Sequence, residues 1–303
     1  MRVESLRDLL SQFPDVDGLW DFGDILTTEF KIREVLPPTE QEVWDLRSLE
    51  LLIQLARVQG LQGKLSEVGA TLLQARDLIS KSDTKTTKRA EVRFLIEQGR
   101  FFALSMNPSQ ALTHFTKALN LAAEQNEIFF FIESAVMLSI SQPPKYQNEW
   151  LKKALEIAET TDDQSSKLWL SQLYVMNGWH AFDFRKYEEA LESFNKALER
   201  PESTKQATTG LAIKWSIART LRALNRLDES LKFQNELLNE VAATGKTNGH
   251  VFLEIAECLQ LLKRYDEAKP NFEQAYKELS LNGWYTDNKA AELSRMQHIS
   301  KKR

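Results

Sequence analysis

The sequence contains a single cysteine, Cys258, among 303 residues. One thiol cannot close a disulfide within the chain, so no disulfide framework holds this fold, and a reducing compartment fits. Glycine and proline are scarce, at 11 and 8 residues. That is too few turn formers for a many-stranded sheet and leaves room for long helices. The four histidines, His114, His180, His250 and His298, do not fall at metal-ligand spacing, and neither HExxH nor CxxC occurs. No metal and no cofactor is expected. A run of about 18 apolar residues, the minimum for crossing a bilayer, is also missing. The opening stretch MRVESLRDLLSQFPDVDG carries charges throughout, unlike a signal peptide. Together these absences lead to the expectation of a cytoplasmic protein with no membrane contact. Finally, 39 basic and 43 acidic residues give a formal net charge of −4. No basic block reaches five residues, so the footprint of a nucleic-acid binder is absent.

What is present is a soluble, foldable balance, with 42% hydrophobic and 27% charged residues. It is arranged in internal repeats. YEEALESFNKALE (187–199) and YDEAKPNFEQAYKEL (265–279) each read Tyr, acid, Glu, Ala, then Phe four residues on and Ala three later. PSQALTHFTKAL (108–119) keeps the same spacing at Ala111, Phe115 and Ala118. At those intervals the residues share one helix face. Upstream of each lies a second apolar stretch with a small residue in its middle: Gly99, Gly178 and Ala256. A small side chain there lets two antiparallel helices approach closely.

This paired pattern resembles the tetratricopeptide repeat family from about residue 49 onward. In the family's frame six repeats start near 49, 92, 128, 171, 211 and 249. The small eighth residue is then Ala56, Gly99, Ala135, Gly178, Ala218 and Ala256. The Ala opening the second helix recurs as Ala111, Ala190 and Ala268, with Val68 and Ser230 as variants. The later Ala recurs as Ala75, Ala118, Ala154, Ala197 and Ala275. Starts lie 36 to 43 residues apart, longer than the family's period of about 34, and similar to kinesin light chains and bacterial peptide-sensing regulators. Gln147 stands where repeat three should carry Ala, and Gln234 where repeat five should carry an aromatic. The resemblance implies an all-α, right-handed superhelical solenoid of antiparallel helix pairs, continuous over 49–285. Residues 1–48 form an N-terminal helical cap in this reading. There TTEFKIREVLPP is one helix stopped by Pro37-Pro38, and Trp20, Phe22 and Leu26 pack on repeat one. Residues 286–303 form a C-terminal capping helix (287–300) and tail. Loops are expected at 80–88, 160–166, 200–210 and 243–250. The stretch WDF…TEF…LLIQLARVQGLQGKLSEV also resembles the start of uncharacterised bacterial tetratricopeptide proteins.

Nothing in the sequence assembles catalysis. Glu188-Glu189 and Asp266-Glu267 open second helices, where acids favour the helix dipole by about 0.3–1 kcal/mol each. Cys258, beside Ala256 and Leu259, reads as a buried inert thiol. The family's geometry instead implies a binding face lined by positions two, five, six, nine and twelve of each first helix. Those positions include Ile53, Gln54 and Arg57; Arg93, Ile96, Glu97 and Arg100; Ile132 and Glu133; Trp179 and Phe182; Trp215, Arg219 and Arg222; His250 and Glu254. Trp and Arg dominate interface energies, and Arg grips carboxylates in bidentate fashion. The candidate groove residues are therefore Arg57, Arg93, Arg100, Trp179, Phe182, Trp215, Arg219 and Arg222, expected to hold a protein or peptide with acidic and apolar side chains. The alternative reading of the arginines is as partners of acids on neighbouring repeats, such as Arg100 with Glu133. The Lys and Asn pattern of the family's chaperone-tail clamp is not matched. A passive binding scaffold is the leading function. The alternatives are a regulator whose superhelical pitch changes on peptide binding and, last, an enzyme.

Overall fold

Every regular element among the described residues of the computed structural model is a helix. Those residues are 19–21, 23–38, 44–82, 84–200, 210–243 and 247–301. In chain order the helices are α1 (Ile25–Val35), α2 (Leu46–Leu61), α3 (Leu65–Lys81), α4 (Thr84–Leu104), α5 (Pro108–Glu124), α6 (Ile128–Ser141), α7 (Pro144–Thr160) and α8 (Gln164–Lys167). They continue with α9 (Leu170–Asp183), α10 (Tyr187–Leu198), α11 (Gly210–Ala223), α12 (Leu227–Ala243), α13 (Gly249–Leu261), α14 (Tyr265–Leu279), α15 (Gly283–Asn288) and α16 (Ala290–Lys301). Where the sequence suggests one continuous array, the described chain divides into two compact units. The first reaches Leu173 and the second begins at Tyr174, inside α9.

In the first unit, α2/α3, α4/α5 and α6/α7 are hairpins, α1 lies on α2, and the first helices α2, α4 and α6 pack side by side in order. In the second unit, α11/α12 and α13/α14 are hairpins, α11 also packs on α10 and α13, and α16 lies on α14. Small residues set these contacts. A Cβ built on Gly99 would stand 2.4 Å from the ring of Phe115, and one on Gly178 would stand 2.6 Å from that of Phe194. Each second-helix ring thus lies directly on first-helix backbone. Ala135, Ala218 and Ala256, and the later alanines Ala75, Ala118, Ala154, Ala197 and Ala275, are all fully buried.

The hairpin turns repeat as closely as the cores. Gly63, Met106, Arg185, Asn225 and Lys263 occupy the same repeat position and all adopt positive φ, between 58° and 74°. The next residue's N–H donates five residues back in every case, for example Lys64 to Gln59 at 3.0 Å and Arg264 to Leu259 at 2.9 Å. This left-handed cap satisfies carbonyls that a helix end leaves open. Repeat three lacks it because Pro143 and Pro144 start α7 at its first turn. There Gln147 is accommodated through its amide, which donates to the Gln142 carbonyl at 2.9 Å.

Four local expectations change. Residues 84–88, expected within a loop, belong to α4; the extension brings Arg89 Nε to 2.9 Å from Glu50 Oε1 on α2. The loop expected over 160–166 contains α8, capped by Asp163, which accepts from the Ser166 N–H at 2.9 Å. The capping helix expected over 287–300 is two helices, α15 and α16, broken at Lys289. Leu26 does not pack on repeat one: it is 69% exposed, while Leu19 and Ile32 are buried in its place. Phe22 lies outside the described residues. Trp20 does reach α2, donating from Nε1 to Gln54 Oε1 at 3.1 Å.

Gln234, on α12, is fully buried, and neither its Nε2 nor its Oε1 has a hydrogen-bond partner among the described residues. A buried amide without partners costs about 1–3 kcal/mol. Gln234→Met is therefore expected to raise unfolding stability by about 1–2 kcal/mol. Gly178→Ala is expected to lower it by about 1–3 kcal/mol through overpacking against Phe194, although Ala alone would gain roughly 1 kcal/mol in helix propensity. Chemical denaturation of both variants checks the two signs.

Candidate functional site

The inner positions of the first helices carry two different surfaces. In the first unit the surface is an ion-pair network. Glu133 of α6 is buried and accepts from Arg100 Nη2 at 2.7 Å and Arg57 Nη1 at 3.3 Å. Glu97, one turn before Arg100 on α4, closes on the same guanidinium. Arg93 is buried over the ring of Phe130, 4.8 Å from its centroid, with Glu50 at 3.9 Å. Arg57 also covers Trp20 at 5.1 Å. Burial pushes the Glu133 carboxyl toward its neutral form. The Arg100 and Arg57 charges and the Arg100 hydrogen bond outweigh that and hold its pKa below the usual carboxylate value. Burial opposes the charge on Arg100 too, but Glu97 and Glu133 raise its pKa above the ordinary guanidinium value.

In the second unit the same pairing recurs between α11 and α13. Arg222 grips buried Glu254 in bidentate fashion, Nε at 2.6 Å and Nη2 at 3.1 Å, and Arg219 Nη1 stands 3.3 Å from the same carboxylate. Here, however, a row of rings runs beside the ions. Centroids lie 5.4 Å apart from Phe182 to Trp179, 5.9 Å from Trp179 to Trp215, 6.0 Å from Trp215 to His250 and 5.6 Å from His250 to Tyr285. The Arg219 guanidinium covers this row, 5.1 Å from the Trp215 ring and 5.8 Å from that of Phe182. Trp215 Nε1 donates to the His250 carbonyl at 3.3 Å, which ties the indole to α13. Phe182, Trp179, Trp215 and His250 are partly exposed, and Tyr285 is buried. Burial, then the Arg219 charge, depress the His250 pKa, so the ring is neutral near pH 7. Tyr285 donates from its hydroxyl to Glu292 at 2.7 Å; burial first, then that bond, raise its pKa.

The expected groove residues are thus brought together in two groups, Arg57, Arg93 and Arg100 in one unit and Trp179, Phe182, Trp215, Arg219 and Arg222 in the other. The expectation that these guanidiniums stand ready for a partner's carboxylate is corrected: each already faces a glutamate of this chain. Position five is also withdrawn from the surface in repeats one to three, since Ile53, Ile96 and Ile132 are fully buried. Sequence reasoning missed the anchoring role of Glu254 and the contribution of Tyr285. The pair Trp284-Tyr285 just after the last hairpin was the available signal. Among the described residues no group of His, Cys, Asp and Glu could hold a metal ion. No helix there is long and apolar enough to cross a membrane.

Hairpins with this core and turn define a helical-repeat protein. Residues 249–278 match the tetratricopeptide repeat. With this repeat and this packing, the chain has the tetratricopeptide fold. A comparison with curated proteins finds no match. Among solved structures it is similar to a signal transduction ATPase with numerous domains and a tetratricopeptide repeat sensor, from Pyrococcus horikoshii. The TM-score is 0.66 at 15% identity, over 97% of this chain and 48% of that one. This chain therefore spans about half the length of that relative. It is also similar to NprR in complex with its cognate peptide NprX, with a TM-score of 0.53 at 13% identity, covering 97% and 84% of the two chains. For a tetratricopeptide repeat protein from Parabacteroides merdae the values are 0.48 and 14%, over 99% and 100%. At such identities the likeness is one of fold.

The network makes a pH prediction. Because the folded-state pKa of Glu133 lies below its ordinary 4.5, its contribution is present above that pH and is lost as pH falls through the lower, folded value. Glu133→Gln is expected to cost about 3 kcal/mol at neutral pH, by leaving buried guanidinium charge uncompensated. It should also flatten the decline of stability below pH 4.5. Urea unfolding from pH 7 to pH 3 measures both, and an unchanged acid limb would count against the assignment.

Proposed function

We propose that this protein is a binding scaffold that holds a peptide segment of a partner on the ring row of its second unit. The observation that carries this reading is the partly exposed surface of Phe182, Trp179 and Trp215 under the Arg219 guanidinium. Large rings lose little conformational entropy on binding and bury much apolar area, so they are effective anchors. The tetratricopeptide fold supports the reading, and so does the likeness in fold to NprR, itself captured with a peptide. The arginines act in a different way from the expected salt-bridge donors. Held flat by Glu254, they offer guanidinium faces and remaining N–H groups beside an apolar track. The ion-pair network of the first unit joins its first helices and serves packing.

Selection of a random 12-residue peptide display library on the full chain tests the proposal. Binders are expected, and the double variant Phe182→Ala/Trp215→Ala is expected to lose them by at least about tenfold while keeping its helical circular dichroism. Binders retained by the folded double variant would place the site elsewhere.

A further inference from the structure

Away from the ring row, a cavity of about 160 Å³ opens between α3 and α4, walled by Leu73, Phe101 and Phe102. Gly69 leaves its middle open, since a Cβ built there would already stand 3.6 Å from the Phe101 ring. The wall is firmly backed. Phe101 and Phe102 meet edge to face with centroids 5.6 Å apart, and His114 of α5 lies 4.9 Å from Phe102. On the opposite wall Leu73 is 56% exposed. An apolar cavity of about 150 Å³ holds one benzene-sized ring, so this one has room for a single aromatic side chain. Arg76 is the charged residue that lines it. Arg76 makes no hydrogen bond or ion pair among the described residues, and the adjacent Asp77 is engaged by Lys81 at 2.7 Å. Gln98, also in the lining, keeps its amide equally unpaired among those residues.

The chain also presents the matching shape. Trp284, on α15, is 62% exposed, and its indole N–H has no acceptor among the described residues. The helix beneath it is fastened: Tyr285 is buried and donates to Glu292 at 2.7 Å, and Asn282 caps α15 by accepting from the Tyr285 N–H at 3.1 Å. Trp284 is therefore held out as a fixed ring, and an exposed ring on an anchored element marks a contact surface. Asp287, three residues on, is exposed and has no cation within ion-pair distance among the described residues. The spacing is the same on both sides. Leu73 and Arg76 stand three residues apart on α3, as Trp284 and Asp287 do on α15. A rise of 1.5 Å per residue places each charge about 4.5 Å along the helix from its apolar neighbour. Laying α15 parallel to α3 thus brings ring to cavity and carboxylate to guanidinium together.

We infer that this protein associates with a second copy of itself, the Trp284 ring of one copy entering the α3–α4 cavity of the other, with Asp287 on Arg76 and the indole N–H toward the Gln98 amide. The groove and the ring are different surfaces, so the contact is heterologous. One aromatic anchor and one exposed ion pair make a small interface of the weak, transient class. The charges set the register of the ring, since the reversed pairing would place like charges together.

Sedimentation velocity of the full chain from about 1 μM to about 500 μM tests this. The average sedimentation coefficient is expected to rise with concentration. Trp284→Ala and Arg76→Asp are each expected to lower the association constant at least about tenfold. Both positions are exposed, so helical circular dichroism and thermal unfolding are expected to stay unchanged. Exchanging the charges in one chain, Arg76→Asp/Asp287→Arg, is expected to restore the association that Arg76→Asp removes. A Trp284→Ala chain keeps its cavity, and a Gly69→Leu chain fills the cavity but keeps its ring. A mixture of the two is expected to form pairs although neither associates alone. A chain that stays monomeric up to about 500 μM overturns the inference and leaves the cavity to some other partner. Association that survives Trp284→Ala, or that the exchanged charges do not restore, overturns it as well. Peptide capture on the ring row is read separately, through Phe182→Ala/Trp215→Ala, and stands or falls independently.

Discussion

The architecture depends on how closely the two helices of a hairpin approach. Phe115 and Phe194 rest on the bare backbone of Gly99 and Gly178, at distances a methyl group would violate. With Ala at the same place, as at Ala135, Ala218 and Ala256, the residue is likewise fully buried. This contact sets which face of each first helix is turned to the core, and hence which face remains for anything else. The left-handed turn residue that follows, Gly63 or its counterparts, returns the chain at the same point in five hairpins. The regularity of the inner face therefore follows from a packing constraint and a turn.

On that inner face, charge and aromatic area have been separated by what lies opposite them. In the first unit, Glu97 of α4 and Glu133 of α6, at position six, meet Arg57 of α2 and Arg100 of α4, at position nine, and the ions satisfy one another. Buried pairs of this sort add little net stability but are costly to break, so they hold neighbouring first helices in register. In the second unit, Met176 and Ser216 stand at position six and offer no carboxylate to their neighbours. Glu254 alone gathers Arg219 and Arg222, and the remaining inner surface is made of rings. The same repeat frame thus yields a polar seam in one unit and an aromatic track in the other.

Much of this was legible in the sequence because helical spacing and close packing are local rules. Ala190, Phe194 and Ala197 at intervals of four and three identify a buried helix face without knowledge of the neighbour, and Pro37-Pro38 stop α1 for reasons of backbone chemistry alone. The site was half legible. Residue types and their register could be named, yet a guanidinium reads the same whether it faces solvent or a glutamate thirty residues away. Arg222 and Glu254, or Arg57 and Glu133, are joined only by the stacking of helices. The loop expected around 84–88 failed for a related reason: its polar composition hides that Arg89 gains a partner on α2 by continuing the helix.

The sequence by itself determined the helical repeat and the small residues that permit close approach, because each follows from periodicity and side-chain size along one stretch of chain. Only the tertiary structure decided which inner residues remain available. It matched each candidate arginine with an acid, buried Ile53, Ile96 and Ile132, left Leu26 exposed, and carried the row of rings from Phe182 to Trp284. Those outcomes depend on distances between residues far apart in the chain, which no local pattern encodes.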